Sequence, residues 1–356
     1  MKELFIKSYK IAAKKYQVSQ EMASAKLDLA DAAFYAENKK KANKNASKDE
    51  KKVAACQQKV DLIQKKINDL QVELDAVHQE LDAIRKTYAN DEEFQRLEGY
   101  RDDGVDLARL TYPEIRLLRA DLQIIFQDPY SSLNPRMTVG QIISEGMKAH
   151  KMFKYSDERL QEAVLKVMED AGLQSYFIHR YPHQFSGGQR QRIGIARALA
   201  VKPKFVVCDE AVSALDVSIQ SQIINLLKDL KEQQNLTYMF ITHDLSVVKY
   251  ISDRIAVMYL GNIVELANSQ TLFSHPLHPY TEALMNAIPT TDVDASKDIQ
   301  VLEGDIPSPV HPPQGCKFHT RCKYCTEICE HMVPQWEEVE PDHFVACHHY
   351  LGKVEE

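Results

Sequence analysis

Residues 1 to 98 contain neither glycine nor proline, so nothing in that stretch interrupts a helix through backbone freedom or a missing N–H. Long helices are therefore expected. From Val53 onward apolar residues recur every seven positions: Val53, Val60, Ile67, Leu74 and Leu81 in one register, Cys56, Ile63, Leu70, Val77 and Ile84 in the other. Two such registers sustained over more than four heptads predict a coiled-coil seam. An earlier stretch, roughly Leu4 to Tyr35, is rich in alanine and carries Tyr9, Tyr16, Leu27 and Phe34 as its larger residues. A Lys/Asn/Ser segment from Asn38 to Lys52 separates the two, so residues 1–98 read as an antiparallel helical hairpin with a solvated tip. Contact of that basic tip with lipid or nucleic acid is the alternative reading.

The bulk numbers narrow the class. At 356 residues, 44% hydrophobic and 27% charged, the chain has room for two or three globular domains. Its net charge of -7 and pI near 6.0 argue against a nucleic-acid binder, which carries a basic footprint. No apolar run approaches the roughly 18 residues of a membrane-spanning helix. Met1 to Tyr16 mixes lysines with apolar residues, unlike a signal peptide, which predicts a cytoplasmic location.

Beyond Gly99 strand and helix signals alternate, which predicts a parallel sheet with helices packed on it. Leu122–Phe126, Phe205–Cys208, Tyr238–Ile241 and Ile255–Leu260 read as strands, with a mostly helical stretch at about Val139 to Tyr181 between the first two. Asp157 is placed to cap a helix there. Gly261-Asn262 reads as a turn into Ile263–Leu266, a hairpin. Residues 99–273 are thus one α/β domain with a helical subdomain at about 139–184. Residues 274–356 form a tail that from Asp305 onward is a separate small module needing a staple.

Asp209 and Glu210 close an apolar run, which puts two carboxylates at the carboxyl edge of a buried strand, where such sheets bind ligands. Taken alone, the pair also suits a surface turn. Ser186-Gly187-Gly188-Gln189 opens a predicted helix running to about Ala200, so its free backbone N–H groups favour an anion, and two glycines permit a close approach. His243 follows the strand Tyr238–Ile241, and Gln127 follows Leu122–Phe126. No Gly-x-x-x-x-Gly-Lys-Ser/Thr phosphate loop occurs in the sequence.

The ordered pieces Phe185–Arg192, Phe205–Glu210, Ser213-Ala214-Leu215-Asp216 and Thr242-His243-Asp244 resemble the ATP-binding subunits of ABC transporters. The resemblance implies a P-loop NTPase-like ABC ATPase domain that binds ATP and Mg²⁺. It assigns Mg²⁺ to Asp209 and Gln127, orientation of the attacking water to Glu210 with Gln127, and the γ-phosphate contact to His243. Ser186, Gly187, Gly188 and Gln189 then close over nucleotide held by the opposite subunit, and Asp216 communicates across that dimer. Ala211 departs from the pattern, which has proline after the glutamate. The resemblance narrows at Phe126–Pro135, at His278-Pro279-Tyr280-Thr281 with Ile288-Pro289, and at Gly304–Pro309. These are similar to the oligopeptide/dipeptide and nickel importer subunits over roughly Asp103 to His348.

Five of the seven cysteines lie between Cys316 and Cys347, which favours a local metal or cluster site over disulfides. Cys316, Cys322, Cys329 and Cys347 are separated by five, six and seventeen residues. That spacing is similar to the importer tail whose four thiolates hold an iron-sulfur cluster, and four cysteines suit a [4Fe-4S] centre. Zinc competes, with His319, His343 and Cys325 also available. Cys325 is the spare under the cluster reading, while Cys208 and Cys56 read as small buried hydrophobes.

The resemblance implies a peripheral subunit on the cytoplasmic face of the plasma membrane. Its partners would be a second ATP-binding subunit, two transmembrane permease subunits and, indirectly, an extracytoplasmic peptide-binding protein, with no nucleic acid. The missing phosphate loop is expected to reflect an amino-terminal truncation or a split gene. Two further readings stand beside this one. A regulatory subunit would lend Ser186–Gln189 to a partner's ATP site, and a chromosome-maintenance ATPase head would account for the coiled coil, although that coil precedes Gln127 here.

Overall fold

The computed structural model describes residues 2–41, 46–99, 106–153, 158–287 and 304–352. Asp157 and Ile288-Pro289 lie outside the described residues. In chain order the helices and strands are α1 (Lys2–Lys41), α2 (Ser47–Thr87), α3 (Glu92–Gly99), α4 (Tyr112–Asp121), β1 (Leu122–Ile125), α5 (Val139–Ala149) and α6 (Glu158–Asp170). They continue as α7 (Gly187–Leu199), β2 (Phe205–Asp209), α8 (Val217–Gln234), β3 (Thr237–Ile241), α9 (Leu245–Ile251), β4 (Arg254–Tyr259) and β5 (Asn262–Asn268). The last are α10 (Ser269–Ser274), α11 (Pro279–Asn286), α12 (Glu327–His331), β6 (Glu337–Glu340) and β7 (His343–Val345). These segments pack as two compact units, residues 1–118 with 145–160, and residues 119–144 with 161–356.

In the first unit α1 and α2 run antiparallel. Ser8 Oγ lies 3.0 Å from His78 Nε2 near one end, and Lys39 pairs with Asp49 at 2.6 Å near the other. All ten heptad positions of α2 are buried or half-buried, whereas Leu62 and Val72, off the seam, are exposed. The facing side of α1 is made of smaller residues. Val18, Met22, Ala25 and Leu29 meet Val60, Ile63 and Ile67, and Ala32 and Ala36 are buried further along. Alanines let the two backbones approach, so Tyr9, Tyr16 and Phe34 are left exposed. Both helices also run further into the Asn38–Lys52 segment than its polar composition suggests.

In the second unit β1, β2 and β3 form a parallel sheet with β2 central, in a register that aligns Ile125, Cys208 and Phe240. Ile125, Val206 and Cys208 face a core built by Ile195, Ala198 and Leu199 of α7 and Ile223, Leu227 and Leu230 of α8. Burial pushes the Cys208 thiol up to about 12, as suits a small hydrophobe. On the opposite face Ile124, Met239 and Ile241 are exposed by 39%, 52% and 42%. Parallel sheets are normally covered on both faces, so among the described residues this sheet is covered on one.

The hairpin turn is Leu260-Gly261 rather than Gly261-Asn262. Both residues have positive φ, 45° and 80°, as a two-residue turn of the primed type requires, and Asn262 already pairs with Tyr259. The tail is not the separate module expected from its composition. Its β7 pairs with β5 through Glu265↔Val345 and Leu266↔Phe344, and β6 adds outside β7, giving one sheet in the order β4-β5-β7-β6. The free edge of β5 supplies backbone partners that a short cysteine-rich segment cannot find within itself.

Glu265 secures this junction. Its fully buried carboxylate accepts the N–H of Leu277 at 2.7 Å and of His278 at 2.9 Å, and its Oε1 lies 2.8 Å from His343 Nε2. Replacing a buried multiple acceptor leaves its donors unpaired at about 1–3 kcal/mol each. Glu265→Leu is therefore expected to free the tail. Limited proteolysis of the full chain should cut within residues 304–352 well before wild type, and an unchanged cleavage pattern would refute the role.

Candidate functional site

The parallel register brings three distant segments to one edge. Ile125 lies beside Cys208 and Asp209 beside Ile241, so Gln127, Asp209, Glu210 and His243 all emerge at the carboxyl ends of the strands. Glu210 is central. Its backbone N–H donates to Ile241 O at 3.0 Å, and its φ of 43° lies in the left-handed region that non-glycine residues seldom occupy. With the chain turned this way, one carboxylate oxygen accepts the Gln127 amide at 2.5 Å, and the other lies 3.1 Å from His243 Nδ1. A left-handed residue costs of order 1–3 kcal/mol and tends to persist where function holds it. The Ser213 hydroxyl and N–H both bond the Glu210 carbonyl, and Ala211 is buried beside it, so the turn is formed without the proline.

Ser186 caps α7 in a reciprocal box. Its hydroxyl accepts the Gln189 N–H at 3.4 Å, while the Gln189 side chain accepts the Ser186 N–H at 3.2 Å. Asp216 similarly caps α8 by accepting the Ile219 N–H at 3.0 Å. The two caps are neighbours. A Cβ on Gly188 would lie 2.5 Å from Ile219 Cγ2, while one on Gly187 would meet Leu215 at an ordinary 3.6 Å. Gly188 is thus demanded by packing, whereas Gly187 leaves its backbone free to face a ligand. Among the described residues no hydrogen bond links Ser186–Gln189 to Gln127, Glu210 or His243.

Arg190 and Arg197 have a part in the site that their local sequence does not signal. Arg197 lies over the Phe126 ring at 5.6 Å and donates to Ser132 O, and Arg190 lies over Tyr130 at 5.0 Å. Two guanidinium groups of α7 therefore hold the first half of the loop that carries Gln127, at Phe126 and at Tyr130 and Ser132. Their i, i+7 spacing is visible in the sequence, but which rings they cover depends on the fold.

A second site lies in the tail. Cys316, Cys322, Cys329 and Cys347 line one pocket, and Cys325 is not among its lining residues. Three of the sulfurs accept a backbone N–H from two residues onward: Cys316 from Phe318, Cys322 from Tyr324, and Cys347 from His349 at 3.4 Å. Burial pushes Cys322 up to about 11 and Cys347 up to about 12, so both thiols stay neutral unless a cation compensates the thiolates. Among the described residues no group of three or more His, Cys, Asp or Glu stands in metal-holding geometry. His343, considered above as a zinc ligand, is instead buried against Glu265, and His319 Nδ1 lies 2.8 Å from Cys316 O.

With the two sites in place, the chain can be compared with known proteins. Residues 96–213 match the ABC transporter family, and residues 264–329 match the C-terminal region of oligopeptide/dipeptide transporters. Oligopeptide transport ATP-binding protein AppF of Bacillus subtilis is 50% identical over 250 residues, covering 69% of this chain and 75% of that protein. Its counterpart OppF of Haemophilus influenzae is 50% identical over 246 residues, covering 68% and 74%. The solved cbiO1 of Clostridium perfringens, part of the cbiONQ ABC transporter complex, is 28% identical, with a TM-score of 0.42. The aligned part is 46% of this chain and spans 64% of that one. These matches define the class, an ABC-type ATP-binding protein. The chain belongs to this family, in its oligopeptide transport branch, whose members couple ATP hydrolysis to transport. Among the described residues no helix is long and apolar enough to cross a membrane.

Two outcomes are expected from this geometry. Gly188→Ala should lower stability by about 1–3 kcal/mol in urea unfolding, because Ile219 is β-branched and cannot swing clear, while Gly187→Ala should be near neutral. Arg197→Lys keeps the charge but loses the planar fork. It should speed amide hydrogen exchange across residues 130–133 and cost about 1 kcal/mol.

Proposed function

We propose that this chain is the ATP-hydrolysing subunit of an importer for oligopeptides or dipeptides, working at the membrane with a second ATP-binding subunit and two permease subunits. The observation that carries the proposal is the convergence of Gln127 and His243 on the Glu210 carboxylate at the sheet edge. Asp209 and Gln127 would hold Mg²⁺, which neutralises charge developing on the phosphates. Asp209 ends its strand exposed, and an exposed carboxylate suits a hard cation. Glu210 accepts the proton of the attacking water, Gln127 and His243 fix the carboxylate that does so, and His243 contacts the γ-phosphate. Ser186, Gly187, Gly188 and Gln189 present the α7 N-terminus to nucleotide held by the partner, and Asp216, packed beside them, carries the signal across the dimer. Domains 1–98, 99–273 and 274–356 would be a coiled-coil arm, the ATPase domain and the importer tail.

The four pocket-lining thiols, three of them already accepting N–H groups, suit a thiolate-bound metal group. The reading that fits four cysteines is a [4Fe-4S] cluster held by Cys316, Cys322, Cys329 and Cys347, with zinc as the alternative. Such a group would supply one-electron chemistry or a structural staple, and its negative sulfurs would be stabilised by the surrounding N–H donors.

A second reading is favoured by one specific observation: among the described residues no hydrogen bond ties Ser186–Gln189 to Gln127, Glu210 or His243. In that reading the chain lends Ser186–Gln189 to the partner's ATP and hydrolyses none at its own edge. ATP turnover of the reconstituted transporter separates the two. If the first holds, Glu210→Gln should reduce turnover at least ~10-fold, in keeping with loss of a general base. If the second holds, Gly187→Asp should reduce it while Glu210→Gln leaves it unchanged. Turnover indifferent to both variants would overturn both readings.

A further inference from the structure

His278 is 1% exposed and has one ring nitrogen without a partner. Its Nδ1 accepts the Tyr280 N–H at 3.0 Å, so that nitrogen holds a lone pair and the ring proton resides on Nε2. Nε2 is buried and unsatisfied, yet His278 lines the same pocket as Cys316, Cys322, Cys329 and Cys347. A buried donor left unpaired is costly and usually marks a missing acceptor.

The ring is also held in place. Its own backbone N–H and that of Leu277 end on the buried Glu265 carboxylate, which also meets His343 from β7, and the ring packs against Phe318 at 5.8 Å. One carboxylate therefore anchors both the tail's strand and the backbone of His278, a residue that lines the thiol pocket. Fixed donors around metal-bound sulfur tune its electronics, and here the backbone N–H groups of Phe318, His319, Tyr324 and His349 already reach the thiols.

We propose that His278 is a positioning residue of the cysteine site, whose Nε2–H donates a hydrogen bond to a sulfur of the iron-sulfur group held by the four thiolates. The proposal rests on the cluster reading given above. A fixed donor stabilises the more negative, reduced state of such a group, so it should hold the reduction potential up. In the sequence His278-Pro279-Tyr280-Thr281, His278 would then connect the cluster to α11 and, through Glu265, to the sheet.

The test uses the full chain, reconstituted anaerobically with ferrous iron and sulfide and titrated redox-potentiometrically with electron paramagnetic resonance detection. His278→Phe should keep iron and sulfide content while moving the midpoint potential negative, and His278→Gln, which retains an N–H donor, should recover part of the shift. Pulsed resonance of the reduced wild-type protein supplies a readout independent of how the variants fold. It should show an exchangeable proton coupled to the cluster and only weak ¹⁴N coupling. Full cluster content with unchanged potential in His278→Phe would overturn this proposal alone, as would the strong ¹⁴N coupling of a directly ligated imidazole. Wild-type protein that takes up zinc, or nothing, in place of iron and sulfide would overturn the cluster reading together with it.

Discussion

The parallel pairing of β1, β2 and β3 is the constraint on which the ATP-facing half of the molecule depends. Gln127, Glu210 and His243 are separated by 83 and 33 residues, yet in-register pairing sets their strands to end at one edge. The left-handed backbone at Glu210 then turns its carboxylate between the other two side chains. A slip of one residue in β2 would send that carboxylate to the other face, because side chains alternate along a strand. The α7–α8 core beneath the sheet holds the register, and the arginines of α7 hold the loop after β1.

A single buried carboxylate plays the comparable part for the tail. Glu265 lies on β5, but its bonds reach Leu277 and His278 at the start of α11 and His343 on β7. An uncompensated charge at that depth would be prohibitive, so the three donors and Glu265 require one another. The result joins a segment whose composition reads as an independent module to the β4–β5 hairpin, and it fixes the backbone of His278, which lines the thiol pocket.

Much of this architecture was legible beforehand. The heptad positions of α2 correspond to its buried face, and each of the five expected strands is present with its ends moved by two residues or fewer. The Ser186-x-x-Gln189 spacing announced a capped helix start. Other features had no local signal. The buried face of α1 is drawn with alanines, which pattern poorly by hydrophobicity, while its tyrosines stay outside. The pairing of β7 with β5 joins residues about 80 apart, and nothing in either strand names the other. The rings that Arg190 and Arg197 cover, Tyr130 and Phe126, lie roughly 60–70 residues away in the chain, and nothing local pairs them.

Residue type and spacing alone set the chemistry available: a carboxylate pair after an apolar run, a glycine-bearing helix start, a histidine after a strand and four clustered cysteines. Local backbone rules translate those properties into strands, caps and turns. Only the tertiary structure decided which groups meet. It made Glu210 the shared partner of Gln127 and His243, gave Gly188 to packing and left Gly187 open, withdrew His343 from the cysteines, and left His278 Nε2 unpaired in their pocket. The physical reason is that contacts between distant segments follow from strand register and the satisfaction of buried polar groups, and both are properties of the assembled fold.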